Sequence, residues 1–216
     1  MIAIIQARSN SKRFKEKILK SIYGLPMIIH VAMKVNKSNY VKKLIVATSK
    51  SKMDDNLIKV LKAFKIKYFR GELNNVASRF LKLAIKKKCK YFIRINGDSP
   101  LIDSKIIDKA IRLHKKNKKF DLISNVFPRT YPEGQSVEII KVKTLKNNIN
   151  KMSKSDLEHV TKYFYKNYKK FKIKNFKNRQ KKRIMKLSID TISDLKKITN
   201  KFKKKNFINF NLENAY

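Results

Sequence analysis

A single cysteine, Cys89, stands in this chain, so no internal disulfide can form and a cluster of thiolate metal ligands is excluded. Long apolar runs are missing as well. The longest, 23–33, is interrupted by Gly24, Pro26 and His30, well short of the ~20 residues a membrane span needs. The apolar opening 1–5 has no basic leader and is followed at once by Arg8, so no secretory signal is expected and the location expected is the cytoplasm. Acidic residues are scarce: 15 against 55 lysines and arginines, a formal net charge of +40. Such a charge suggests nucleic acid, but the lysines are spread over the whole length and no reader motif accompanies them. No specific nucleic-acid partner and no membrane partner are expected. A diffuse positive field would still gather an anionic substrate.

Scarcity makes the exceptions informative. Only four glycines and four prolines occur, at Gly24/Pro26, Gly71, Gly97/Pro100 and Pro128/Pro132/Gly134, each a turn between an apolar run and a helical pattern. Among the acids, Asp54, Asp55, Asp103, Asp108, Asp156 and Asp194 fall in the first turns of helical patterns, where capping and the helix dipole account for them. Asp98, Glu133, Glu138, Glu158 and Asp190 have no such account.

Apolar strand patterns at 2–6, 43–48, 67–69, 91–95 and 121–124 alternate with helical periodicity at 26–36, 53–64, 74–87 and 104–117. That alternation predicts an α/β fold: a three-layer, Rossmann-like arrangement with a mostly parallel mixed sheet and helices on both faces. Beyond 125 the rhythm changes to strands at 136–141, 171–176 and 185–189 and helices at 156–167 and 193–204. The length, 216 residues, suits one domain, with the change of rhythm dividing it into a first half (1–125) and a closing half (126–216). In an open α/β sheet, ligands bind beyond the carboxyl ends of the strands. Here those ends are 6–17, 48–51, 70–75, 96–100 and 124–134.

The first of them reads IIQARSNSKRFKEKIL. Arg8, Arg13 and Lys17, with Ser9, Asn10 and Ser11 between them, make a donor-crowded strand-to-helix loop suited to a triphosphate. In so basic a chain, three cations in that stretch are also ordinary composition, and both readings stand. The loop lacks the glycine spacing of a Walker sequence. Asp98 follows an apolar strand, between Gly97, which permits close backbone approach, and Pro100, which fixes the turn. It suits a Mg²⁺ ligand, since that ion takes one or two carboxylates plus phosphate oxygens. It also suits an Asx turn ahead of the helix near Ser104. Asp190 precedes Thr191 and Ser193 and reads as readily as part of a helix cap. The proline-stiffened loop FPRTYPEGQSVEII suits a sugar site or a plain surface excursion. His30 is expected in the core and His114 in solvent.

The segments IIQARSNSKRFKEKIL, GLPMIIHV, KLIVATSKSKMDD, YFRGELNNVASRF, FIRINGDSPLID, LISNVFPRTYPEGQSVEII, DLEHVTKYFY and KLSIDTISDL resemble, in order and over nearly the whole chain, the CMP-sugar synthetases. These are the cytidylyltransferases that activate 3-deoxy-manno-octulosonate and sialic-acid-like sugars, and the likeness is strongest to the spore-coat-polysaccharide-type branch. The usual glycine of the first loop is Asn10 here, and the usual Pro-Gly before its lysine is Lys15-Glu16.

The resemblance implies a nucleotide-diphospho-sugar transferase fold and transfer of CMP from CTP to an acidic 2-keto sugar, with Mg²⁺, for surface polysaccharide biosynthesis. It implies nucleotide contacts from Ala7, Arg8, Ser11, Arg13, Lys17, Thr48, Ser49, Arg70, Gly71, Asn96 and Gly97, with Asn75 and Arg79 in the segment that follows. Metal ligation falls to Asp98 and Asp190, and catalysis to Arg8, Arg13, Lys17 and Asp98. A nucleotide-binding half (1–125) and a sugar-binding, closing half (126–216) are implied, with a sugar site at Asn125, Arg129, Tyr131, Gln135, Glu138, Glu158 and His159. A homodimer is compatible with it. Two other readings stay open here: a nucleotidyltransferase of the same fold with another nucleotide or sugar, and a basic nucleic-acid-binding protein.

Overall fold

The computed structural model describes residues 1–10, 14–178 and 186–212. The apolar opening forms β1 (Ile2–Gln6). A hairpin of β2 (Ser21–Ile22) and β3 (Leu25–Pro26) follows, then α1 (Met27–Asn36), β4 (Lys43–Ser49), α2 (Asp55–Ala63), β5 (Tyr68–Gly71), α3 (Val76–Lys86), β6 (Tyr91–Asn96) and α4 (Ser104–Lys116). The second half contributes β7 (Leu122–Ser124), β8 (Glu138–Lys141), α5 (Val142–Asn148), α6 (Lys154–His159), α7 (Lys162–Lys166), β9 (Ile173–Asn175), α8 (Ile192–Lys201) and α9 (Lys204–Ile208).

Seven strands form one sheet in the order β5-β4-β1-β6-β8-β7-β9. Only β8 runs against its neighbours β6 and β7, so the sheet is mixed and mostly parallel, as the βαβ rhythm predicts. Strand alternation sends Ala3, Ile5, Ile93 and Ile95 to one face, packed with α1, α2 and α4. Ile4, Phe92 and Ile140 point to the other, under α3, α5 and α7. From β1 the chain winds outward through β4 to β5, then returns to place β6 on the other flank of β1. The strand order therefore reverses between β1 and β6, which is where such sheets open a binding crevice.

The second half departs from the expected pattern in three places. The helix expected over 156–167 is two helices, because Val160 takes φ 34° and breaks the turn between α6 and α7. The strand expected at 185–189 is not one among the described residues. Residues 186–189 bond instead to loops, through Leu187 N–H to the Glu133 carbonyl (2.7 Å) and Ile189 N–H to the Asp98 carbonyl (3.0 Å). Helix α5 and the closing α9 carry too few apolar positions to stand out in the sequence. His114 is buried against the Tyr91 ring, centroids 4.3 Å apart, rather than solvated. His30 is in the core as expected, its Nε2 2.7 Å from the Ile22 carbonyl oxygen.

Candidate active site

The site begins with backbone. Gly97 N–H donates to the Gln6 carbonyl at 2.9 Å, and a Cβ at Gly97 would stand 2.8 Å from that oxygen. Glycine is what lets the β6 loop close onto the end of β1. Asp98 follows, and its own carbonyl holds Ile189 N–H. Gly134, at φ +90°, lies against the 187–188 backbone, where a Cβ would come within 2.5 Å of the Leu187 carbonyl carbon. Two loops thus grip the 187–189 segment and deliver Asp190 to the side of Asp98.

The two carboxylates meet on one ammonium. Lys17 Nζ lies 2.7 Å from Asp98 Oδ2 and 2.9 Å from Asp190 Oδ1. Burial opposes the lysine charge, but Asp98 and Asp190 outweigh it and hold its pKa above the ordinary value. Burial likewise favours the neutral form of Asp190, and Lys17 and Lys186 outweigh it, keeping that carboxyl below its usual range. Asp194 accepts from the Asp190 and Thr191 N–H groups and from Lys186. Against the penalty of burial, Lys186, the Asp190 N–H and the Thr191 side chain bring its pKa down to about 2.

Next to this cluster lies a cavity of about 640 Å³ lined by Ala7, Arg8, Lys17, Asn96, Asp98, Glu158, His159 and Asp190, together with Gln6, Asn10, Ile18, Asn74 and Arg94. Arg8 reaches across to α6, its Nη2 2.5 Å from Glu158 Oε1, which ties the first loop to the second half of the chain. Eight of the residues given a site role from sequence therefore line one space at the reversal of strand order.

The other described residues do not line it. Thr48 and Ser49 are fully buried at the end of β4. Arg70 donates to the Ser49 and Ser51 carbonyls and pairs with Asp55 at 2.8 Å. Gly71 is buried beside Arg79, whose Cγ a Cβ would meet at 2.7 Å. The fully buried Arg79 guanidinium donates to the carbonyls of Glu72, Leu73 and Ala47, and Asn75 caps α3 through Ser78 N–H. Asn125 and Gln135 are fully buried and bond to backbone at Gln135, Val137, Leu101 and Asp103. Tyr131 is packed against Phe176 in the core, and Arg129 is exposed beside Ser136. Glu138 is buried under the cavity, bonded to Arg94 and to the Tyr165 hydroxyl. Ser11 and Arg13 lie outside the described residues.

Two residues that sequence reasoning gave no part in the site brace it or line it. Asp54, read there as a helix-cap acid, is fully buried. It accepts from Ser9 N–H (2.6 Å), Ser49 N–H (3.0 Å) and the Ser49 hydroxyl. It thereby pins the first loop to the end of β4. Those donors overcome the cost of burial and lower its pKa. Arg94 lines the cavity from inside β6. The signal for it was present: one arginine within the otherwise apolar strand YFIRIN.

Asp98 and Asp190 suit a divalent cation. Both are hard oxygen donors, both already face one positive charge, and both border a cavity large enough for a nucleotide. Among the described residues no third acid, histidine or cysteine joins them; Mg²⁺ takes one or two carboxylates together with phosphate oxygens.

Comparison with known proteins gives the family. Residues 2–213 match the family described as cytidylyltransferase, and the chain belongs to it. An uncharacterised protein of Methanocaldococcus jannaschii is 32% identical over 199 residues, 91% of this chain and 80% of the relative. The spore coat polysaccharide biosynthesis protein SpsF of Bacillus subtilis is 29% identical over 76% of this chain and 69% of its own length. A 3-deoxy-manno-octulosonate cytidylyltransferase of Geotalea daltonii is 34% identical over 50% of this chain and 42% of its own. A solved cytidylyltransferase of Leptospira borgpetersenii superposes with a TM-score of 0.88 at 28% identity, covering 96% of this chain and 91% of that one. A CMP:2-keto-3-deoxy-manno-octonic acid synthetase complexed with CTP shares the fold at 16% identity, with a TM-score of 0.71 over 92% and 97% of the two chains. The chain is a nucleotidyltransferase of Rossmann-like architecture.

Proposed function

We propose that this cytidylyltransferase moves the CMP group of CTP onto the anomeric hydroxyl of an acidic 2-keto sugar, releasing pyrophosphate, in the cytoplasm and for surface polysaccharide assembly. The observation that carries the reading is the cluster of Lys17, Asp98 and Asp190 at the mouth of a polar cavity, where the strand order reverses. The sugar oxygen forms a bond to the α-phosphorus while the bond from that phosphorus to the bridging oxygen breaks, and the hydroxyl proton passes to solvent. Negative charge builds on the phosphoryl oxygens and on the departing pyrophosphate, so catalysis is chiefly orientation and neutralisation. No protein nucleophile is needed.

Lys17 supplies one fixed positive charge at the edge of the cavity, and Arg8 a second, oriented by Glu158. Mg²⁺, held by Asp98 and Asp190, would supply further neutralisation of the phosphates. Asn96 and Asn74 offer neutral hydrogen-bond partners along the walls. The likeness to SpsF and to octulosonate cytidylyltransferases supports an acidic acceptor and a polysaccharide destination. The test is pyrophosphate release from each of the four nucleoside triphosphates against a panel of sugar acids and neutral sugar phosphates. Turnover with CTP and a sugar acid alone is expected. Turnover confined to another nucleotide or to a neutral sugar phosphate would overturn the reading.

A further inference from the structure

Beneath the cavity lies a polar chain that the phosphate chemistry does not use. Arg94 on β6 stands directly opposite Glu138 on the antiparallel β8, and its Nη1 donates to Glu138 Oε2. Its Nε and Nη2 both donate to Gln6 Oε1, at 3.2 and 3.0 Å. Glu138 in turn accepts from the Tyr165 hydroxyl, which lies 2.6 Å from Ser124 Oγ. Burial, and then the adjacent Glu138 charge, raise the Tyr165 pKa well above its usual value, so that hydroxyl stays a donor. The side chains of Arg94 and Glu138 are 12% and 3% exposed. Four strands and α7 therefore hold one guanidinium still, with its accessible part toward the cavity.

A buried arginine fixed this firmly has few rotamers to lose on binding, and its planar fork matches a carboxylate. Gln6 and Glu138 take one hydrogen from each of its nitrogens, which leaves a second hydrogen on each terminal nitrogen. Glu138 also cancels the arginine charge. What Arg94 offers is thus a fixed pair of directional donors, which suits the two oxygens of one carboxylate. In a 2-keto sugar acid the carboxylate is attached to the same carbon as the attacking hydroxyl. A residue that grips that carboxylate also aims the hydroxyl.

We infer that Arg94, clamped by Gln6 and Glu138, binds the acceptor carboxylate and sets the enzyme's preference for acidic over neutral sugars. This rests on the reading above and goes beyond it by assigning the discriminating residue. The experiment compares wild type, Arg94→Lys and Glu138→Gln with CTP and the sugar acids 3-deoxy-manno-octulosonate and N-acetylneuraminate, each alongside its carboxamide. CTP affinity is measured separately by calorimetry without acceptor, and folding by thermal melting. For Arg94→Lys, kcat/KM for the acid should fall about ten- to hundredfold, as for loss of a charge-assisted fork. The acid-to-carboxamide ratio should fall with it, and CTP affinity should move less than about threefold. Glu138→Gln keeps the fork and loosens its clamp, so the ratio should fall by a smaller factor.

An unchanged ratio in a folded Arg94→Lys protein would overturn the inference. So would an equal loss of CTP affinity, which would assign Arg94 to the phosphates. If Arg94→Lys fails to fold, Glu138→Gln decides by the same ratio. If the wild type uses no sugar acid at all, the functional reading itself has failed, and this inference fails with it.

Discussion

Replacing Lys17 with methionine keeps the length of the side chain and removes the one charge shared by Asp98 and Asp190. Two charge-assisted hydrogen bonds are lost, at 2.7 and 2.9 Å, each worth about 1.5–3 kcal/mol in general. The groups are 13%, 27% and 22% exposed, so water takes up part of the deficit. Lys186, 3.1 Å from Asp190 Oδ2, continues to neutralise that carboxylate. A net loss of about 2 kcal/mol follows, or roughly 4–8 °C in Tm for a chain of this size.

The pH dependence is specific. Asp190 has a folded pKa below its ordinary value, so its contribution is present above the unfolded pKa and disappears as pH falls through the folded one. The Tm gap between wild type and Lys17→Met should therefore be widest near neutral pH and narrow in acid as Asp190 takes up its proton. Adding Asp98→Asn to Lys17→Met should recover much of the lost Tm, because it removes one of two facing negative charges. In the wild-type background the same change should lower Tm. With one positive charge fewer beside the two carboxylates, Lys17→Met should also gain more Tm from millimolar Mg²⁺ than the wild type does. Equal melting across pH 4–8, or an Asp98→Asn effect of the same sign in both backgrounds, would refute the reasoning.

Asp98→Asn alone should cut pyrophosphate release by about a hundredfold or more while the far-UV spectrum is unchanged, and EDTA should silence the wild type reversibly. Full activity of that variant would remove Asp98 from the chemistry. Gly134→Ala places a side chain at φ +90° and 2.5 Å from the Leu187 backbone. Its melting point should drop by the equivalent of more than the ~1–2 kcal/mol that left-handed backbone costs. Activity at low temperature should fall too, because the loop presenting Asp190 must shift. A Gly134→Ala protein that melts and turns over like wild type would show that the 187–190 segment can be carried otherwise. Binding to random duplex DNA should be detectable at 50 mM salt and fall steeply by 200 mM, following counterion release from diffuse lysines. Sequence-selective binding that persists at physiological salt would overturn the enzyme reading of the charge.

Much of the architecture was legible because strand and helix periods differ. The apolar runs of β1, β4 and β6 have too few polar positions to be surface, and the helical stretches between them have room for only one connection each. That is enough to predict a parallel sheet, to locate its carboxyl edge and to mark Asp98 and Lys17 as residues of that edge. Val160 was illegible, since nothing in its identity announces a left-handed backbone; the break follows from seating α6 under Arg8 and α7 over Glu138. Asp54 was misread because a first-turn acid and a buried loop anchor look alike until Ser9 and Ser49 are brought to it. The pairing of Asp98 with Asp190 depends on two long-range backbone bonds and on the space a glycine leaves at 134, none of which has a local sequence signal. Arg94 needed β8 to turn antiparallel and set Glu138 opposite it. The sequence by itself determined the elements and the edge where ligands bind, because hydrophobic periodicity is a local property. Only the tertiary structure decided which charges face one another there, because electrostatic partnership is settled by distance in space and not along the chain.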